Sequence, residues 1–164
     1  MAHSSWLVEA PCLRTCPACR HFIGRMREEI GPDTVQNLAI WRDGIEAVKA
    51  TYLLSTNWPK QESYGLTAQA RRAAVSIPAN LAEGVGRGSP GEVGRFAQIA
   101  LGSLYELDTL LQVAYQLGFS PEAAVVGLRK QLSTLGKRIS RFVAYQSRRS
   151  AWTHGPRATS HGLE

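Results

Sequence analysis

The chain has 164 residues, of which 44% are hydrophobic and 20% charged, and its formal net charge is +6. This balance is typical of a folded globular domain, so it excludes a wholly disordered or collagen-like chain, and no apolar run reaches the roughly 18 residues of a membrane span. The basic surplus is compatible with a polyanionic partner but does not identify one.

The N-terminal residues 1–36 show no helical or strand period, which predicts an irregular segment. It contains Cys12, Cys16, Cys19 and His21, whose thiolate and imidazole groups could hold zinc or form a redox pair. The second cysteine pair of a zinc ribbon is missing, so we favour an inert or untranslated segment, with no metal and no cofactor. The odd cysteine count and the lack of an export signal predict a cytoplasmic location.

Helical apolar periods begin near residue 35, and no convincing strand pattern follows. The first predicted helix covers about residues 35–56, and the second about residues 61–85. Pro78 lies inside the second helix, where a proline removes one backbone hydrogen bond and clashes with the preceding turn. The apolar period continues through it, which predicts a kink at residues 76–78 and no full break.

The third and fourth helices are predicted from their capping sequences. Ser89 is placed as an N-cap with Pro90 at the first helical position and Glu92 in the first turn, and Gly118 is a natural stop. Ser120 is placed as the N-cap of the fourth helix, again followed by a proline and a glutamate. A leucine-rich seam then recurs at spacings of three and four residues, which is typical of helices packed in a bundle.

Four helices with short connections predict an all-α fold, an antiparallel up-down-up-down four-helix bundle over residues 37–146. Residues 147–164 are polar, basic and without a period. They predict a disordered basic tail after the last helix.

The fourth helix carries basic residues of one sign on the side opposite its apolar seam. Lys130, Lys137 and Arg141 fall within about 40° of one another on a helical projection. Such a stripe is either a solvated face or a surface for a polyanion, and the absence of acids adds weight to the second reading. Arg138, Arg71 and Arg72 are lesser candidates for the same contact.

The third helix has apolar residues over about 180° of its circumference, more than one bundle face needs. The excess predicts a subunit interface, while a central, deeply packed helix is the alternative. The predicted interface residues are Phe96, Leu101, Leu104 and Leu110. Asp108 lies at the edge of this arc and needs a partner, for which Arg71 or Arg72 is a candidate.

Catalysis is not expected. A bundle that holds a dimetal site needs Glu-x-x-His sequences on its helices, and all four histidines lie outside the predicted bundle, at His3, His21, His154 and His161. The same positions leave the bundle without a Ser–His or Cys–His pair.

Two sequence blocks resemble a known family. They are RRAAVSIPANLAEG at residues 71–84 and ALGSLYELDT at residues 100–109. These blocks, within about residues 38–145, closely resemble the four-helix bundle proteins encoded in intervening sequences of bacterial 23S rRNA genes. That family also resembles the accessory variability protein of diversity-generating retroelements. The resemblance implies a ring-like homopentamer without known catalysis, and the retroelement relatives bind a reverse transcriptase and nucleic acid through basic surfaces.

The sequence therefore predicts a non-enzymatic, oligomeric bundle that binds RNA or DNA through its basic helix faces. The alternative is a protein-interaction scaffold or an accessory subunit, for a partner such as a reverse transcriptase, with no direct contact to nucleic acid. Neither reading involves a membrane.

Overall fold

The computed structural model describes residues 35–153, which form α-helices and 3₁₀ turns and contain no strand. The predicted N-terminal cysteine segment and the residues after 153 lie outside this part of the chain. The helices are α1 Ala39–Ser55, α2 Leu66–Arg87, α3 Pro90–Gln116 and α4 Glu122–Thr153, and 3₁₀ turns at Val35–Asn37 and Lys60–Ser63 precede α1 and α2.

The four helices form an antiparallel bundle, as predicted. Each helix packs against the helices before and after it, and α4 closes the bundle by packing against α1. Consequently α2 lies diagonally across the bundle from α4. This arrangement decides which of the predicted basic residues can share a surface.

Buried apolar side chains from all four helices fill the centre of the bundle. The helix α1 contributes mainly small residues, and Gly44 lets α1 approach α2 so closely that an added Cβ would lie 3.4 Å from the Cβ of Pro78. Most of the larger buried side chains come from the other three helices. They include Ile77, Leu81, Leu104, Leu107, Leu111, Val125, Leu132, Leu135 and Ile139.

The second helix begins later than its sequence predicts. Residues 60–63 form a separate 3₁₀ turn, a bend follows at residues 64–65, and α2 starts at Leu66. There the carboxylate of Glu62 accepts a hydrogen bond from the Leu66 amide at 2.9 Å, which satisfies one of the unpaired amides of the first turn. The helix continues through Pro78 without a break, as predicted. The observed bend lies at residues 64–65, and the kink predicted at residues 76–78 stays a prediction.

Of the two predicted caps, one is confirmed and one has a different role. The Ser89 hydroxyl accepts a hydrogen bond from the Glu92 amide at 3.2 Å and caps α3. The Ser120 hydroxyl instead accepts a hydrogen bond from the indole of Trp58 at 2.6 Å. This bond joins the α1–α2 and α3–α4 connections at one end of the bundle.

The last helix extends past the point where a disordered tail was predicted to begin. Residues 147–153 continue α4, so the prediction of a tail is wrong for them. Glycines at the start of α3 explain the extension, because an added Cβ would lie 3.4 Å from Gln146 at Gly94 and 3.3 Å from Ser150 at Gly91. The last turns of α4 pack along this side-chain-free surface.

Candidate nucleic-acid interface

The positive charge of the chain is concentrated on α4. Residues 122–153 contain seven basic residues and one acidic residue, whereas residues 90–116 of α3 contain one basic and three acidic residues. The outward surface of α4 is therefore the strongest candidate site for a polyanion.

The predicted stripe lies on the solvent side of α4. Lys130, Lys137 and Arg141 are exposed, and they span about 16 Å along the helix. Within residues 35–153 none of the three side chains makes an ion pair or a hydrogen bond. We call this set the α4 cation face.

An open groove lies on each side of the α4 cation face. The α3–α4 groove has a volume of about 550 Å³ and includes Lys137 and Arg141 at its rim. The α1–α4 groove has a volume of about 680 Å³ and includes Lys130. The α3–α4 groove also contains Tyr105. The sequence did not identify this residue, because only the packing of α3 against α4 places it beside the α4 cations.

Asp108, in the α3–α4 groove, pairs with Arg129 of α4 and not with Arg71 or Arg72 as predicted. Two parallel hydrogen bonds join the side chains, at 2.7 Å from Nε to Oδ1 and 2.9 Å from Nη2 to Oδ2. Hydrogen bonding to Asp108 raises the pKa of Arg129 above its ordinary value. The prediction failed because Asp108 faces α4, whereas both arginines lie on α2. The pair neutralises the only carboxylate that lines this groove.

Arg138 was predicted as a lesser binding residue, and the structure places it in an ion pair with Asp43 of α1. Both side chains line the α1–α4 groove, where the pair links the first and last helices. A guanidinium held in this way is a weaker candidate for binding phosphate than the cations of the α4 cation face.

The structure does not bring Arg71 and Arg72 to the α4 cation face. Both lie on α2 and line a separate α1–α2 groove. Arg71 donates a hydrogen bond to the Ser55 hydroxyl at 2.9 Å, and its guanidinium lies 4.7 Å from the ring centroid of Tyr52. Arg71 is therefore held by its own chain, whereas Arg72 is exposed on the side of the bundle away from α4.

The residues predicted to form a subunit interface pack largely into the core of the single chain. Phe96 and Leu104 are only 6% and 2% exposed, so they have little surface left for a second subunit. Leu101 and Leu110 are half-buried and pack against the same core. The wide apolar arc of α3 has a simpler cause, because α3 packs between α2 and α4. The existence of a subunit interface stays a prediction.

Residues 35–153 also show neither a metal-binding cluster nor a membrane-spanning helix. No group of three or more histidine, cysteine, aspartate or glutamate side chains lies close enough to hold a metal ion. None of the helices described has the length and apolarity needed to cross a membrane.

Comparison with known proteins supports the family resemblance. No curated protein matches the chain. The family model for 23S rRNA-intervening sequence proteins matches residues 36–141, from the turn before α1 to Arg141 of α4. Since this match covers more than half of the sequence, the chain belongs to the 23S rRNA-intervening sequence protein family.

Proposed function

We propose that this protein binds RNA or DNA through the α4 cation face, in a role that requires no catalysis. The observation that carries the proposal is that Lys130, Lys137 and Arg141 share one exposed face and have no acidic partner in the described chain. A phosphate backbone supplies a row of negative charges for such a face, at about one per 3.4 Å on each strand of a duplex.

Two exposed cations on other helices support this reading by contrast. Lys49 lies 2.6 Å from the carboxylate of Glu46, and Arg87 lies 2.6 Å from that of Glu83. These surfaces mix the two signs of charge, as solvated helix faces usually do. The α4 cation face departs from that pattern, which favours an external anion as its partner.

We extend the proposal to a homo-oligomer, for which the family resemblance implies a pentamer. Repeating the α4 cation face on several subunits would strengthen binding to a long polyanion without any new contact at a single site. Native mass spectrometry of the full chain measures the subunit number directly. A pentamer is expected, and a monomer at every protein concentration would contradict this part of the proposal.

A second candidate function is a protein-contact scaffold, for a partner such as a reverse transcriptase. Ile99 and Val113 are exposed on α3, and so is Leu117 at its C-cap; the three fall within about 40° of one another on a helical projection. Exposed apolar side chains on one side of a helix favour contact with protein rather than with phosphate.

The proposed function is tested by binding of a labelled structured RNA and a duplex DNA across a series of salt concentrations. The test variant changes Lys130, Lys137 and Arg141 together to Glu. The matched control changes Arg42, Lys60 and Arg72 to Glu, which alters the net charge equally at exposed positions outside α4.

The wild-type chain should bind both ligands with an affinity that falls steeply as salt rises. The test variant should lose that binding, while the control variant keeps most of it. Each lost phosphate contact should also lower the slope of log affinity against log salt by about 0.7 to 0.9. Equal losses in the two variants would contradict the assignment to α4, and no binding by wild-type protein at low salt would contradict the function itself.

A further inference from the structure

The α3–α4 groove combines a free aromatic ring, unpaired cations and a partly apolar floor. The apolar part of its lining includes Leu104, Leu132 and Gly136. The cations Lys137 and Arg141 line its α4 side. Its volume of about 550 Å³ is within the range of small-molecule sites. The groove is therefore large enough for one nucleobase with its sugar.

Tyr105 is the aromatic member of this groove, and it has no partner in the described chain. Its side chain is 61% exposed. Among residues 35–153 no cation lies over its ring and its hydroxyl makes no hydrogen bond. Tyr52 in the α1–α2 groove differs, because the Arg71 guanidinium covers its ring at 4.7 Å.

The charges in the groove favour an anion beside the ring. The carboxylate of Asp108 is held by Arg129 through two hydrogen bonds, so it offers little repulsion to a phosphate. Lys137 and Arg141 have no such partner. A ligand with a flat ring and an attached phosphate matches both features of the groove, the aromatic ring and the unpaired cations.

We infer that the α3–α4 groove binds one unpaired nucleotide of a single strand, with its base against Tyr105 and a neighbouring phosphate at Lys137 and Arg141. This inference rests on the proposed nucleic-acid function and makes it specific. A base inside a duplex is covered by its neighbours on both faces, so only an unstacked base can lie on the Tyr105 ring. The protein therefore prefers single-stranded segments, loops and ends.

The test compares Tyr105→Ala with Tyr105→Phe in the full chain, using a labelled single strand and a duplex of the same length. Tyr64→Ala is the matched control, because Tyr64 is 96% exposed and lies outside the groove. A nucleoside monophosphate serves as a competitor, since the same ring-and-phosphate chemistry could come from a free nucleotide. Thermal melting of each variant checks that the bundle is intact.

Tyr105→Ala should weaken single-strand binding by about 5- to 100-fold and change duplex binding less than about twofold. Tyr105→Phe and Tyr64→Ala should bind the single strand like the wild-type chain. Equal losses for both nucleic acids, or no loss for either, would overturn the inference while leaving the proposed function standing. A monophosphate that binds as tightly as the strand would overturn the choice of a strand as ligand. No binding of either nucleic acid by the wild-type chain would overturn both proposals.

Discussion

The α1–α2 and α3–α4 grooves contain similar residues but differ in how these residues are paired. Each has a tyrosine, at least two cations and several hydroxyls along its sides. In the α1–α2 groove Arg71 lies on the Tyr52 ring and donates to Ser55, so ring, cation and hydroxyl are joined to one another. In the α3–α4 groove the ring and both rim cations have no partner within the described residues.

This difference shows why residue type alone is a poor guide to a binding site. Arginine and tyrosine in a groove favour nucleic-acid binding only when their charge and ring face are free. Arg71, Arg129 and Arg138 stabilise contacts between helices, whereas Lys130, Lys137 and Arg141 have no such internal role.

The largest expected difference is between two pairs of alanine substitutions. Lys137→Ala with Arg141→Ala should lower RNA affinity about tenfold at moderate salt, because two phosphate contacts are lost. Arg71→Ala with Arg72→Ala should change the affinity less than about twofold. Fluorescence anisotropy of a labelled RNA measures both, and a larger loss in the α2 pair would reverse the comparison.

Thermal or urea unfolding should rank the same two pairs in the opposite order. The α2 pair should reduce the free energy of unfolding by about 1 kcal/mol, since the Arg71 hydrogen bond to Ser55 and the contact with Tyr52 are lost. The α4 pair should leave stability unchanged or slightly higher, because it removes two like charges from a basic helix.

A substitution that frees a cation should make the α3–α4 groove bind more tightly. Asp108→Asn removes the charge paired with Arg129 and leaves that arginine only its hydrogen bond to Gln112 and a neutral neighbour, so RNA affinity should rise about three- to tenfold. The free energy of unfolding should fall by about 1 kcal/mol, a modest loss because both side chains are partly exposed to solvent.

Glu106→Gln is the control for this effect, since it removes an exposed carboxylate of α3 outside the groove. It should change RNA affinity less than about twofold. An equal gain in the two variants would mean that net charge, and not the release of Arg129, causes the tighter binding.

The smallest expected effect concerns the groove floor. Gly136→Ala should raise the free energy of unfolding by about 0.5 to 1 kcal/mol, because alanine favours a helix interior and its Cβ would meet Leu104 at an ordinary 3.5 Å. Gly84→Ala should have the opposite sign, since the new Cβ would lie 2.9 Å from the Cβ of Phe96. Urea unfolding measures both, and stabilisation by Gly84→Ala would contradict the close packing of α2 against α3.

The helices could be predicted from the sequence because their signals are local. The Ser89 cap and the exposed stripe of α4 depend on residues within a few turns of each other. The pairing of Asp108 with Arg129 and of Ser120 with Trp58 could not be predicted, because both partners come from distant parts of the chain. The continuation of α4 past residue 146 depends likewise on glycines in α3.

The sequence predicted the exposed cations of the candidate site but neither their pairing nor the aromatic residue beside them. One-sided charge on a helix identified Lys130, Lys137 and Arg141, since periodicity alone sets their common face. Periodicity could not show that Arg138 differs from these three residues, because its ion pair with Asp43 forms only when α1 and α4 pack together. Tyr105 was missed for the same reason, because its position beside those cations arises from the packing of α3 against α4.

Photo-crosslinking of a single strand that contains a photoreactive base, followed by mass spectrometry, tests the central claim most directly. The account predicts crosslinks at Tyr105 and around residues 137–141, which weaken when Lys137 and Arg141 are changed to Glu. Crosslinks concentrated at Tyr52 and Arg71, with none on α4, would contradict it.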